Sequence, residues 1–194
     1  MINYTLVTLG FIVLLCSGCS IGKLNSVDDV GPNEVVAVGR ARVIYNGRDV
    51  TKGSNLVFNA PTNGFPKYQC LLDEDGYIFT KLPREYVSLT NIVCNAGFIT
   101  ESLSKDQLVV NLQNHDKVCY IGDLNILWNG IDVVEAERRG SAAALGIRLP
   151  NEQGNKSLTI SVKSRNINAI QKEFQLRYKN NLQVVNANFK SKTQ

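Results

Sequence analysis

The side chains with the most obvious chemistry in this 194-residue chain belong to five cysteines, one histidine and a short acidic run. The histidine, His115, stands in a polar stretch between apolar segments. One histidine with cysteines this scattered does not have the spacing of a zinc site. No Gly-x-Ser-x-Gly, Cys–His or glycine-rich phosphate-binding signature occurs either. The sequence therefore predicts a protein that is not an enzyme, with no catalytic residue, metal site or cofactor.

The acidic run Asp73-Glu74-Asp75-Gly76 has the composition with which a calcium-binding loop begins. An EF-hand loop also needs a glutamate eleven positions after its first aspartate, and this chain has Arg84 there. We therefore interpret the run as the solvated tip of a hairpin, in which Gly76 adopts a positive φ.

Three cysteines, Cys70, Cys94 and Cys119, lie among the apolar residues of predicted strands. An exported protein can keep disulfides, but three thiols allow at most one bridge within the chain. Buried thiols without a bridge are an equal alternative. If a disulfide forms, the first candidate is Cys94–Cys119.

The first residues of the chain predict export. Residues 1–22 carry no charged side chain, and the apolar segment Leu6–Leu15 is followed by small residues, as in a signal peptide. The segment Leu-Cys-Ser-Gly-Cys that ends at Cys19 resembles the lipobox of bacterial lipoproteins. This resemblance implies cleavage between Gly18 and Cys19, which removes a signal peptide of residues 1–18, and lipid chains on Cys19.

An uncleaved signal anchor formed by Met1–Gly22 is the alternative. Lipid on Cys19 would anchor the chain to a membrane, since each buried methylene contributes about 0.8 kcal/mol. The resemblance to lipoproteins implies a bacterial cell-envelope protein. Ser20 after the cysteine resembles the sorting pattern of Gram-negative lipoproteins, and this resemblance implies the outer membrane. Residues 19–33 then form the lipidated cysteine and a flexible polar tether.

The elements beyond the tether show mostly a period of two, which is typical of strands. Asn46-Gly47 is a strong hairpin signal after the first of them. The predicted strands are Val36–Tyr45, Leu56–Phe58, Lys67–Leu72, Tyr77–Leu82, Val87–Cys94, Gln107–Leu112, Val118–Trp128 and Leu158–Val162. Many short strands at this spacing predict a mainly-β fold, an immunoglobulin-like or prealbumin-like antiparallel β-sandwich, in one domain over residues 34–194. The last predicted strand is placed beside Val118–Trp128.

Residues 36–94 resemble the prealbumin-like modules of the carboxypeptidase-regulatory type. The resemblance is carried by Tyr45-Asn46-Gly47 and then by Asp75, Gly76, Phe79, Leu82, Pro83 and Tyr86. It implies a β-sandwich without catalytic activity. Glu85 stands where those modules have glycine, so the turn after Pro83 must be built differently.

A C-terminal helix is predicted at about residues 166–180. Ile167, Ala169, Ile170, Phe174 and Tyr178 form its apolar stripe. Asn166 or Asn168 can cap it, and Glu173 precedes Arg177 by four residues. Residues 163–194 hold seven basic residues and one acidic residue, whereas the whole chain has a net charge of +4. Such asymmetry marks either a solvated helix face or contact with anionic lipid or an acidic partner.

With 44% hydrophobic and 20% charged residues, the composition excludes a disordered tail, a coiled coil and a highly charged nucleic-acid binder. We expect a lipid-anchored envelope protein with a non-catalytic binding or structural role, as an accessory subunit of other envelope proteins. The alternative is a carbohydrate- or peptidoglycan-binding lipoprotein that uses surface aromatics such as Trp128, Tyr120 or Phe65. A weaker alternative is a hydrolase with an unrecognised carboxylate pair.

Overall fold

The computed structural model describes residues 24–60, 68–94, 99–103, 107–115, 117–130, 139, 157–164 and 166–190. The strands are β1 (Glu34–Tyr45), β2 (Arg48–Asp49), β3 (Asn55–Asn59), β4 (Tyr68–Leu71), β5 (Tyr77–Pro83), β6 (Tyr86–Cys94), β7 (Ile99–Ser102), β8 (Val109–Asn111), β9 (Val118–Asn129), β10 (Ser157–Lys163), β11 (Val185–Asn186) and β12 (Asn188–Lys190). Helix α1 is Ile167–Tyr178, and one 3-10 turn, Val27–Asp29, precedes β1.

The described strands form two six-stranded sheets that pack face to face as a β-sandwich. Sheet A has the order β10-β9-β1-β2, with β5 also beside β1 and β11 also beside β9. Sheet B has the order β12-β8-β6-β3-β4, with β7 also beside β6. The predicted mainly-β sandwich with a C-terminal helix is confirmed. Its strand pairs are antiparallel except for β1 with β9 and β11 with β9, which are parallel.

Each of the eight predicted strands coincides with an observed one, and the ends differ by at most two residues. β10 lies beside β9, as predicted, and the two strands are antiparallel. The other four strands, β2, β7, β11 and β12, were not predicted as strands, although the Asn46-Gly47 signal placed a hairpin before β2. They have only two to four residues each, too few to show a period.

Two turns form as their residue types require. Asn46 and Gly47 have φ values of 48° and 77° and join β1 to β2 in a two-residue hairpin. Gly76 has a φ of 73°, as predicted, and a Cβ there would lie 2.0 Å from the carbonyl oxygen of Ala41. Only glycine fits this approach of the acidic loop to β1.

The apolar side chains form two cores, one on each face of sheet A. The larger core lies between the sheets, where the rings of Tyr45 and Trp128 meet edge to face at 4.9 Å. The smaller core lies between the outer face of sheet A and α1, where Phe174 is fully buried. The molecule therefore has three layers: sheet B, sheet A and the helix.

Helix α1 is held by the stripe that the sequence predicts, with one exception. Ile170 and Phe174 are buried, and the predicted Glu173–Arg177 ion pair forms at 2.5 Å. Ala169 is exposed, so its place in the buried stripe was wrong. Asn166 occupies the N-cap position, but its side chain makes no capping hydrogen bond.

The segment predicted as a free tether is packed onto the domain from Leu24 onward. Leu24 is 6% exposed and belongs to the core under α1. Ser26 and Asp29 close a capping box around the 3-10 turn, which fixes this segment further. The described residues 24–33, which were predicted to belong to the tether, thus include part of the packed structure. No helix in the described ranges is long and apolar enough to cross a membrane.

Candidate functional site

The outer face of sheet A has an apolar half and a charged half. The outward side chains of β1 are first Val36 and Val38 and then Arg40 and Arg42, because successive side chains of a strand alternate between faces. Helix α1 covers the apolar half. The charged half forms the floor of a groove with a volume of about 630 Å³.

A bulge in β9 brings a carboxylate into this groove. Val38 pairs with Tyr120 and Arg40 with Asp123, so two residues of β9, Ile121 and Gly122, lie opposite a single residue of β1. The extra residue reverses the alternation, so that Asp123 points outward instead of into the core. Gly122 permits the bulge because its φ is 83° and a Cβ would lie 2.6 Å from a methyl carbon of Val162.

The register of the strands places opposite charges side by side. Asp123 pairs with Arg40 of β1 on one side and with Lys163 of β10 on the other. The next outward position has Arg42 paired with Asn125. Neighbouring opposite charges on one sheet face stabilise each other, and the result is a floor that presents both signs of charge.

The Asp123 carboxylate is fixed by two hydrogen bonds. The hydroxyl of Tyr120 donates to Oδ1 at 2.8 Å, and the side-chain amide of Asn166 donates to Oδ2 at 2.7 Å. The second bond explains why Asn166 does not cap α1 with its side chain. Burial, followed by the hydrogen bond to Asp123, raises the pKa of Tyr120, so this hydroxyl remains a donor.

The groove ends on one side at β2. The guanidinium of Arg42 contacts the Asp49 carboxylate at 3.0 Å, with both side chains largely in solvent. Hydrogen bonds from Thr51, followed by the one from Arg42, lower the pKa of Asp49. Such an exposed pair contributes little to stability, so its charges are available to a ligand at little cost.

The acidic loop of residues 73–76 forms another wall and connects the groove to the helix. Nε of Arg40 donates to the carbonyl oxygen of Asp75 at 2.6 Å. On the helix side, Arg177 contacts Asp73 at 2.7 Å and lies 4.8 Å from the centre of the Tyr77 ring. Burial raises the pKa of Asp73, but hydrogen bonds from the Tyr77 backbone N–H and from Arg177 outweigh it, so the net pKa is lowered.

No protein family, curated protein or solved structure matched this chain. What the groove can bind is therefore inferred from its own residues and their contacts. Among the described residues of its lining there is no histidine, cysteine or serine, and their one hydroxyl, of Thr51, accepts a hydrogen bond from the Val43 backbone N–H at 3.0 Å. Asp49 and Asp123 are already hydrogen-bonded, and the lowered pKa of Asp49 is the opposite of what a general acid needs. This arrangement is suited to binding by charge and hydrogen bonds.

The residues predicted for lipid attachment, Gly18 and Cys19, lie outside the described residues. So does Phe65, one of the three aromatics considered for sugar binding. The other two, Trp128 and Tyr120, are 3% and 1% exposed and belong to the two cores. They form no stacking surface for a sugar.

The three predicted strand cysteines are buried thiols, and none of them forms a disulfide. Cys70 and Cys94 lie in sheet B, whereas Cys119 lies in β9 at the centre of sheet A. The Cys94–Cys119 bridge is thus not formed in this structure. Burial raises the pKa of Cys70 to about 12 and that of Cys94 to about 11, which suppresses the reactive thiolate.

His115 and the acidic run do not form a metal site with other residues of the described ranges. Within those ranges, no group of three or more His, Cys, Asp or Glu side chains is placed to hold an ion. His115 lies between β8 and β9, and its carbonyl oxygen accepts a hydrogen bond from Arg84. His115 and Arg84 do not belong to the lining of the groove.

The sequence prediction missed the groove, although the sequence contains a sign of it. In β9 the buried core side chains fall on odd positions at Cys119 and Ile121 and on even positions from Leu124 to Trp128. Such a change of phase at a glycine indicates a bulge. The change of phase does not predict, however, that Arg40 and Lys163 lie beside Asp123 in the sheet.

Proposed function

We propose that this chain is a lipid-anchored protein of the bacterial cell envelope, attached through Cys19 to the outer membrane. Its non-catalytic role is to bind another envelope protein. The observation that carries the binding role is the groove, where Arg40, Arg42 and Lys163 alternate with Asp49 and Asp123. The anchoring rests on the lipobox that ends at Cys19.

A protein partner suits the groove better than a small apolar ligand. Ligand pockets are lined mainly by apolar and aromatic side chains, whereas this lining is mainly charged and amide groups. Alternating charges give specificity for a surface with the complementary pattern and exclude surfaces of a single sign. Leu127, the next outward residue of β9, is 45% exposed beside the groove and offers an apolar contact.

Site-specific photo-crosslinking in the intact envelope tests the binding role. A photoreactive phenylalanine analogue replaces Leu127 beside the groove or, as the control, Leu71, which is 70% exposed on sheet B. We expect a discrete adduct from position 127 only. The double variant Arg42→Glu with Lys163→Glu should abolish the adduct. The control Lys117→Glu makes the same change of charge at a residue that precedes β9 and does not line the groove, and it should preserve the adduct. An adduct that survives the groove variants, or that forms equally from position 71, would refute this role.

The anchor is tested by the mass of the mature N-terminus. We expect a chain that begins at Cys19 and carries acyl groups, and we expect Cys19→Ala to abolish both the cleavage and the added acyl mass. An intact Met1 would refute the lipoprotein proposal.

A further inference from the structure

The outer face of α1 carries an exposed leucine between two lysines. Lys172 and Leu176 are four residues apart and share the face opposite the buried Ile170 and Phe174. Lys179, the exposed C-cap residue with a φ of 49°, directly follows the last turn of the helix. Leu176 is 65% exposed. This face includes no carboxylate, because Glu173 is turned to Arg177 in an ion pair.

The first described residue, Leu24, lies beside the last turn of this helix. Leu24 is buried in the core under α1, and the hydroxyl of Tyr178 donates to the carbonyl oxygen of Leu24 at 3.5 Å. The described chain therefore begins next to Tyr178, one residue before Lys179.

The short connection between Leu24 and Cys19 limits the distance to the membrane. Five residues in the most extended conformation span about 18 Å. In the proposed function the lipid on Cys19 lies in the bilayer, so the end of α1 is held within about this distance of the surface. Charges at the surface act over a Debye length of about 8 Å, and a small tilt of the domain brings Lys172 and Lys179 into that range.

We infer that the outer face of α1 rests on an anionic lipid surface, with Lys172 and Lys179 on headgroup phosphates and Leu176 at the interface. The pattern of cations beside an apolar side chain is that of a helix lying in the plane of a membrane. The aliphatic stems of the lysines lie along the same boundary while the ammonium groups reach the phosphates. This inference rests on the proposed anchoring. It turns sheet A with its groove toward the membrane, so the protein partner of the groove is expected at the membrane surface.

The experiment places a spin label on the lipidated chain in vesicles. Leu176→Cys reports on the proposed contact, and Leu71→Cys, with 70% exposure on sheet B, is the matched control. The native Cys70, Cys94 and Cys119 are buried, so they do not take the label. The measurement is the ratio of collisions with oxygen, which concentrates in lipid, to collisions with a water-soluble nickel complex.

In vesicles of phosphatidylcholine with phosphatidylglycerol, we expect this ratio to be at least about twofold higher at position 176 than at position 71. Lys172→Glu with Lys179→Glu, or vesicles of phosphatidylcholine alone, should lower it to the value at position 71. Equal ratios at both positions would overturn the inference. So would a ratio at position 176 that stays high in the lysine variant or in vesicles without anionic lipid.

Flotation of the labelled protein with the vesicles separates the two proposals. If the chain floats but the collision ratio at position 176 equals that at position 71, the anchor is supported and the membrane contact of α1 is refuted. If the chain does not float, the anchor fails and this inference fails with it.

Discussion

Replacing Gly76 by alanine should destabilise the domain far more than replacing Gly53, although both glycines have a similar positive φ, 73° and 78°. A non-glycine residue in this region costs about 1 kcal/mol, and that is all we expect for Gly53→Ala, because a Cβ there meets nothing within 4 Å. At Gly76 the new Cβ would lie 2.0 Å from the carbonyl oxygen of Ala41 and 2.8 Å from Cγ2 of Thr51.

Relief of this contact must move the acidic loop away from β1. The Gly76 carbonyl then loses the 2.7 Å hydrogen bond from the Ala41 N–H, and an unsatisfied buried N–H costs about 1–3 kcal/mol. Together with the φ strain, we expect Gly76→Ala to lower the free energy of unfolding by about 2–4 kcal/mol. The same movement would pull the Asp75 carbonyl away from Arg40 at the groove.

Urea unfolding followed by tryptophan fluorescence measures this difference. The chain has one tryptophan, Trp128, which is 3% exposed and packed against Tyr45, so its emission reports on the sandwich core. Equal losses of stability for Gly76→Ala and Gly53→Ala would show that the loop does not approach β1 as described.

Two further predictions concern the thiols and the acidic loop. Iodoacetamide should modify Cys70, Cys94 and Cys119 only after unfolding, and without a reductant all three should then react; a single reactive thiol would instead reveal a disulfide. The lowered pKa of Asp73 means that its contribution to stability is present above pH 3.8 and is lost as the pH falls through the folded-state pKa. In urea titrations Asp73→Asn should therefore be less stable than wild type at pH 6 and equal to it well below pH 3.8, whereas a constant difference, or the same pH dependence in Glu74→Gln, would contradict this origin.

The parts of the fold that the sequence predicted are those with local signals. The alternation in β1 and the Asn46-Gly47 turn depend on neighbouring residues alone, and both formed as expected. The stripe that buries Ile170 and Phe174 is equally local. These signals are sufficient for the strands, the helix and the class of the fold.

The remaining features depend on contacts between distant segments. Asn166 is of a residue type and at a position that predict a helix cap, but its side-chain amide donates a hydrogen bond to Asp123 of β9 instead. Leu24 occurs in a polar stretch that predicts a tether, and only the presence of α1 makes its burial favourable. The groove requires β1, β9 and β10 to be neighbours, which no local pattern specifies.

The parallel pairing of β1 with β9 has a consequence for how the chain folds. Val36 lies opposite Val118, and every other strand of sheet A is a neighbour of β1 or β9. Closing a loop of about 80 residues costs about 2 kcal/mol more than closing one of about 10. Since sheet A cannot be completed before this closure, we expect slow folding dominated by non-local contacts. A chain that is synthesised from its N-terminus would thus leave sheet A incomplete until β9 has emerged from the ribosome, so that β1 lacks its longest partner for most of synthesis.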